Sequence, residues 1–323
     1  MIEIKNLETG MSYKEFVQGI QPNIPVWVLC TNPSREELQT IHTTFNIPWE
    51  DLEDSLDEDE RPRLELDPET PNSLKLVLRV PALEDLMKKD EISDQPQPVT
   101  HPAVVFITGD CLITILSERF SSKRAKKPIG SRRKRKTPTI LVLLDWLESV
   151  VKSFELTVDK IDRDLALVER VIFQSIKSSS IEKVFRLSRD ATYLDAALKG
   201  NLRAFYGLKK APLFADRPEL LDDLEDLSID LQQQAELLRI YRDLIESSLD
   251  AYASVISNNQ NDLIKVLTSI SLILMVPTLL ASLYGMNLTL PFAEESWAFV
   301  FILLVSALLI IPIWVFLRKI DLL

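Results

Sequence analysis

The sequence predicts a membrane protein, mainly α-helical. It comprises a cytosolic α/β (α+β) N-terminal domain, a stalk or funnel of long helices, and two C-terminal transmembrane helices. Three observations predict this. Short β-rich runs are confined to the first 120 or so residues. Beyond Pro218 no Gly or Pro occurs until Pro277. Finally, 19 residues from Val266 to Tyr284 and 21 from Trp297 to Leu317 are free of charge. The implied division is 1–137, 138–260 and 261–323, with spans near 266–284 and 297–317 and an outer loop at 285–296.

Taken in order, Val26 to Cys30, Leu74 to Val80, Ala103 to Thr108 and Cys111 to Leu116 read as strands, and Ser34 to Phe45 as a helix with Ser34 as its N-cap. The acidic run Glu50 to Glu60, leading into Arg61, Pro62 and Arg63, reads on its own as a solvated face or turn. Nine of the residues from Lys123 to Lys136 are basic, around Pro128, Ile129 and Gly130. No aromatic residue is interleaved and the net charge is -11, which points away from nucleic acid. A mobile loop near anionic lipid or a neighbouring subunit's acidic regions fits better.

After Pro138 the chain reads as helix. One long helix covers Leu141 to about Ile176, and Ile181 to Tyr206 forms its return. Gly207, Pro212 and Pro218 mark the break before the next, which starts near Glu219 and runs from the cytosol into the membrane. Leu238, Tyr241, Ile245, Ser248, Tyr252 and Val255 alternate by three and four, a seam for side-by-side helices or for ordinary packing on the preceding pair.

As helices the two uncharged runs measure roughly 28 and 32 Å, matching a bilayer core of about 30 Å. A buried globular hairpin is the alternative. Lys265 precedes the first run, Arg318 and Lys319 follow the second, and the loop between has Glu294 and Glu295 but no Lys or Arg. Both termini are therefore expected in the cytoplasm, with Tyr284 and Trp297 at interfacial depth. The N-terminus lacks a signal-peptide pattern. Cys30 and Cys111 are too sparse for a disulfide framework or zinc site and fit a reducing compartment. Two histidines, His42 and His101, leave little material for a His metal site or triad.

Along the first span, Asn261, Ile264, Thr268, Ser271, Met275, Thr278 and Ser282 alternate by three and four, and five of the seven are polar. The opposite stripe, Leu263, Val266, Ile270, Ile273, Pro277, Leu280 and Tyr284, is almost wholly apolar. Small hydroxyl residues also serve close helix packing. A column of neutral oxygens suits the wall of a wet pore, which two helices cannot enclose alone; a ring of identical subunits would be needed. Gly285, the only glycine after Gly207, ends this stripe, where it either caps the helix or meets a specific backbone or ligand demand.

These residues resemble the CorA family of divalent-cation channels. The likeness rests on Tyr284-Gly285-Met286-Asn287, on the two terminal spans, and on Asn261 to Thr268 leading into the first. It extends to Trp27-Val28 before Asn32-Pro33, and to Glu53-Asp54 followed by Glu60-Arg61-Pro62-Arg63. The resemblance implies a homopentamer whose first span lines the pore. Gly285, Met286 and Asn287 would form the outer selectivity filter. Asn261, Ile264, Leu267, Met275 and Thr278 would fall at pore-lining positions, beside Thr268, Ser271 and Ser282 of the stripe. It also implies regulatory magnesium between neighbouring cytosolic domains, with Asp226 opposite Glu84 or Asp85. Two departures are the outer loop, Leu288 to Ser296, which lacks the family's Met-Pro-Glu-Leu motif, and a short basic tail of Arg318 and Lys319.

The expected function is passive, potential-driven entry of magnesium, with cobalt or nickel as surrogates, gated by cytosolic magnesium. Amide and hydroxyl oxygens can hold the hydrated ion through its water shell, and Met275 and Leu267 would be apolar constrictions. No phosphate-binding loop is present, so ATP-driven pumping is not expected, and neither is an organic cofactor. A zinc transporter of the same superfamily and a membrane-anchored scaffold or receptor are the alternatives. No recognisable catalytic spacing points to an enzyme.

Overall fold

The computed structural model describes residues 2–7, 12–13, 25–67, 70, 73–82, 99–116, 138–174, 178–287, 291, 295, 297–320 and 322. The chain divides into two compact units, Met1–Ser247 and Ser248–Leu323.

The first unit is built on one seven-stranded sheet. Its strands are β1 (Ile2–Asn6), β2 (Ser12–Tyr13), β3 (Val26–Thr31), β4 (Arg63–Leu66), β5 (Leu74–Pro81), β6 (Thr100–Thr108) and β7 (Cys111–Leu116). The order is β2-β1-β3-β7-β6-β5-β4, and only the β3–β7 pair is parallel. Gly109, at φ 59°, makes the tight β6–β7 turn in a conformation that favours glycine.

Helices α1 (Arg35–Phe45) and α2 (Trp49–Asp54) cover one face, where Leu38, Ile41, Phe45 and Leu52 pack with Val28, Val77, Val104 and Ile113. Helices α3 (Pro138–Gln174) and α4 (Ser178–Leu208) cover the other. Burial on both faces makes β3, β6 and β7 mostly apolar and leaves Lys75 and Arg79 as the only charges in β5, which is why the sequence announces them. The edge elements are polar and short: β4 is Arg-Leu-Glu-Leu and half exposed, and neither it nor β1, β2 or α2 was expected. Ser34 caps α1 as expected. Its Oγ accepts from Glu37 N at 3.2 Å while its own N–H donates to the Glu37 carboxylate at 2.8 Å.

The acidic run is not merely a solvated turn. It contains α2, and Asp51 receives the buried Lys75 ammonium at 2.7 Å. Arg79 donates to the carbonyls of Glu58 and Glu60 at 2.9 and 3.0 Å, and Glu60 in turn accepts from Arg63 at 3.0 Å. That hydrogen bond to Arg63 holds the Glu60 carboxyl below its ordinary value. These contacts tie the loop before β4 to the sheet.

Helix α4 receives β4 through two glycines one heptad apart. A Cβ at Gly200 would meet Pro62 Cγ at 2.7 Å, and one at Gly207 would meet Leu64 Cδ2 at 3.2 Å. Beyond β4, the β5 edge at Arg79 has no strand partner on that side. Asn201 takes its place: its Oδ1 accepts from Arg79 N at 2.9 Å and its Nδ2 donates to Arg79 O at 2.7 Å. Glu60-Arg61-Pro62-Arg63 therefore does structural work, docking a strand on a helix.

After a short α5 (Pro212–Ala215) comes α6 (Pro218–Tyr284), 67 residues without interruption. Leu224, Leu231, Leu238 and Ile245 recur every seven residues and are fully buried in the first unit. Around them Arg242 reaches Asp195 at 3.1 Å, Tyr206 reaches Gln232 at 3.3 Å, and Tyr241 hydrogen-bonds Asp162. Burial, then the Asp162 charge, pushes the Tyr241 hydroxyl upward. Of the two readings of the seam, packing on the preceding helix pair holds up to Ile245.

The remaining single residues are structural. His42 Nδ1 meets Ile47 O at 2.7 Å, and buried His101 lies 3.2 Å from Glu58. Cys30 and Cys111 are buried thiols outside any disulfide, and burial pushes them up to about 12 and about 11. The basic segment 123–136 lies outside the described residues.

Candidate functional site

Within the unit Ser248–Leu323, the last part of α6 is followed by α7 (Ala298–Lys319), and both helices are long and apolar enough to cross a membrane. Only 6% and 11% of their most apolar windows are buried. The globular-hairpin alternative is thereby removed, because such a hairpin would be the core of its unit. Trp297 precedes α7 and stacks edge-on against Phe301 at 5.5 Å between ring centroids.

Every residue of the sequence-predicted stripe is exposed in the single chain: Asn261, Ile264, Thr268, Ser271, Met275, Thr278 and Ser282. Leu267, one position off it, is exposed as well, at 66%. The opposite stripe is divided. Leu263, Val266 and Ile270 are exposed, whereas Ile273, Pro277, Leu280 and Tyr284 are half-buried. Pro277 does not end the helix, although it cannot donate to the Ile273 carbonyl.

The hydroxyls along the exposed face bond to their own helix. Ser271 Oγ donates to Leu267 O and Thr278 Oγ1 to Leu274 O, both at 2.8 Å. Ser269 differs. It is fully buried, and its hydroxyl donates instead to Leu322 O at 2.8 Å. That bond brings the chain after α7 beside the start of the first uncharged run. It therefore puts Arg318 and Lys319 at the same end of the hairpin as Lys265, as the charge pattern requires. Sequence reasoning missed Ser269. Its only signal was a hydroxyl off the stripe and directly after Thr268.

At the other end, Gly285 N donates to Ala281 O at 3.0 Å and Met286 N to Leu283 O at 3.3 Å. Gly285 does not take a left-handed conformation, so it is not a left-handed cap. A Cβ there would lie 3.2 Å from Ala281 O, the same last-turn carbonyl that Gly285 N bonds, so the only close neighbours are the helix's own backbone. Met286 and Asn287 follow, exposed, outside the helix. Tyr284 reaches across the turn with its hydroxyl 3.4 Å from Pro291 O.

Asp226 is an exposed residue of α6, between Glu225 and Leu227. Glu84 and Asp85 lie outside the described residues, so the proposed opposition has no geometry here. Among the described residues no group of three or more His, Cys, Asp or Glu side chains within one chain could hold a metal.

The family model of the CorA-like Mg2+ transporter protein matches residues 23–319. The chain is 25% identical over 296 residues to the cobalt/magnesium transport protein CorA of Methanocaldococcus jannaschii, covering 90% of this chain and 88% of that one. It is similar in fold to the complete structure of the CorA magnesium transporter of M. jannaschii, with a TM-score of 0.76 at 22% identity over 99% and 98% of the two chains. It is also similar in fold to the cytoplasmic domain of ZntB from Vibrio parahaemolyticus, with a TM-score of 0.59 at 14% identity over 79% and 98% of the chains.

Proposed function

This chain belongs to the CorA-like Mg2+ transporter family, and on that premise we propose that it is a homopentameric channel for passive magnesium entry across the cell membrane. Both termini face the cytoplasm, the membrane potential drives the ion, and cobalt or nickel substitutes for magnesium. The observation that carries this reading is the exposed stripe from Asn261 to Ser282, which leads to Gly285, Met286 and Asn287 at the helix end. A simple membrane anchor has no use for those oxygens. A ring of copies turns the same face into a wall.

In this arrangement Asn287 offers its amide oxygen to the water shell of the incoming ion, with Gly285 and Met286 completing the ring. Magnesium sheds water reluctantly, so neutral oxygens that bind through water hold it without trapping it. Below, Thr278, Ser282, Ser271, Thr268 and Asn261 keep the path wet. Met275, Leu267 and Ile264 form apolar rings that close by dewetting. The likeness to ZntB is one of fold alone and does not favour zinc.

Purified protein in liposomes tests this directly. Asn287→Ala is expected to lower magnesium influx by on the order of tenfold, about 1.4 kcal/mol at the filter. Equal influx through wild type and variant, or none through either, rejects the filter assignment. Zinc admitted in preference to magnesium would support the zinc-transporter alternative.

Regulation completes the proposal. Asp226 binds magnesium at the boundary with a neighbouring subunit, opposite Glu84 or Asp85, and the ion holds the carboxylates together. When internal magnesium falls, the like charges separate the subunits and the pore opens. Asp226→Asn should raise the internal magnesium needed for half-inhibition severalfold. An unchanged inhibition curve rejects the sensor role.

A further inference from the structure

We propose that Ser269 is a positioning residue for the conduction path: by clasping the chain that follows α7, it fixes the place of the Leu267 constriction. This rests on the pore reading above. Ser269 is the only buried residue of α6 beyond Tyr252. Its neighbours Ser271 and Thr278 bond to carbonyls four residues back, whereas its own hydroxyl crosses to Leu322 O at 2.8 Å.

The acceptor is itself held. Leu322 N donates to Leu317 O at 3.0 Å, a bond that turns the chain back at the end of α7, and the Leu317 side chain is buried. Arg318 lies over the Trp314 ring at 5.4 Å, and Ile320 N donates to Phe316 O at 3.2 Å. Two residues along a helix are about 200° of rotation, so Ser269 and Leu267 lie on nearly opposite faces. The clasp therefore attaches the second helix to the back of the segment whose front carries Leu267. Movement at the α7 end is passed to the constriction through one hydrogen bond.

The test compares wild type, Ser269→Ala, Ser269→Thr and a chain ended after Ile320. Two quantities are read: magnesium flux remaining at saturating internal magnesium, and the mobility of a nitroxide at Lys319→Cys, on a background with Cys30 and Cys111 replaced by Ala. Ser269→Ala should loosen the label and raise the residual flux about threefold, in the range expected for one lost hydrogen bond. Ser269→Thr, which keeps the hydroxyl, should behave as wild type. The shortened chain should match Ser269→Ala, and combining the two should add nothing, since both remove the same bond.

Additive effects overturn the proposal, as does a loosened label with an unchanged flux curve. An unchanged label in Ser269→Ala overturns it too. A wild-type protein that passes no magnesium defeats the channel reading instead, and the label mobility still judges the clasp.

Discussion

In the unit Met1–Ser247, several interior polar groups find partners across the fold in their own chain, whereas in Ser248–Leu323 the surface is apolar and the polar stripe is exposed. Lys75 reaches Asp51, Trp27 Nε1 donates to Thr114 at 3.1 Å, and Asn201 serves both backbone groups of Arg79. In the second unit Leu267, Met275, Phe299 and Leu308 are all more than half exposed. The first unit supplies those partners from its own residues. The second leaves its apolar surface exposed in the single chain, which a membrane would cover and which the proposed ring of copies would close.

The same truncation in the two units tests that contrast most severely. Leu238→Ala, at a position with no exposure, should cost about 2–5 kcal/mol and lower the thermal midpoint of the detergent-solubilised protein. Leu267→Ala should change that midpoint little, about 0.5 kcal/mol or less, while altering residual magnesium flux. Equal destabilisation by both would show that the second unit packs as a self-contained core.

Next in size is Asn201→Ala, which leaves the Arg79 N–H and C=O without their partner and should cost about 1–3 kcal/mol by the same melt. A midpoint equal to wild type would mean that water satisfies that edge and that the first unit is less closed than described.

The smallest effect is acid sensitivity at Glu60. Its pKa is lowered in the folded state by Arg63, so its stabilisation is present above the ordinary value of 4.5 and is lost as pH falls below it. Glu60→Gln should therefore flatten the decline of the midpoint between about pH 6 and 3. Parallel declines in wild type and variant would show that the Arg63 contact contributes nothing.

The contrast also explains what could be read from sequence. β3, β5, β6 and β7 were legible because burial on both faces leaves mostly apolar, β-rich runs, and α1 because Ser34 marks its start. β2 and β4 were not, since their residues follow edge position, and neither was the short β1, which is defined by its pairing with β2 and β3 rather than by local pattern. The contacts of Arg79 with Asn201, 122 positions apart, leave no local trace. The stripe on α6 could be drawn from sequence because helical periodicity alone assigns residues to a face. Ser269 was not: its meaning depends on Leu322, 53 residues away.

The hydroxyl geometry on the exposed face has an electrostatic sign. Ser271 and Thr278 have already committed their hydrogens to Leu267 O and Leu274 O, so what they turn outward is lone pairs. Water against this face must donate to it and so points its own oxygen toward the axis of the proposed ring. In the proposed ring, Ser271 and Thr278 would thereby favour cations over anions without a carboxylate to hold the ion back.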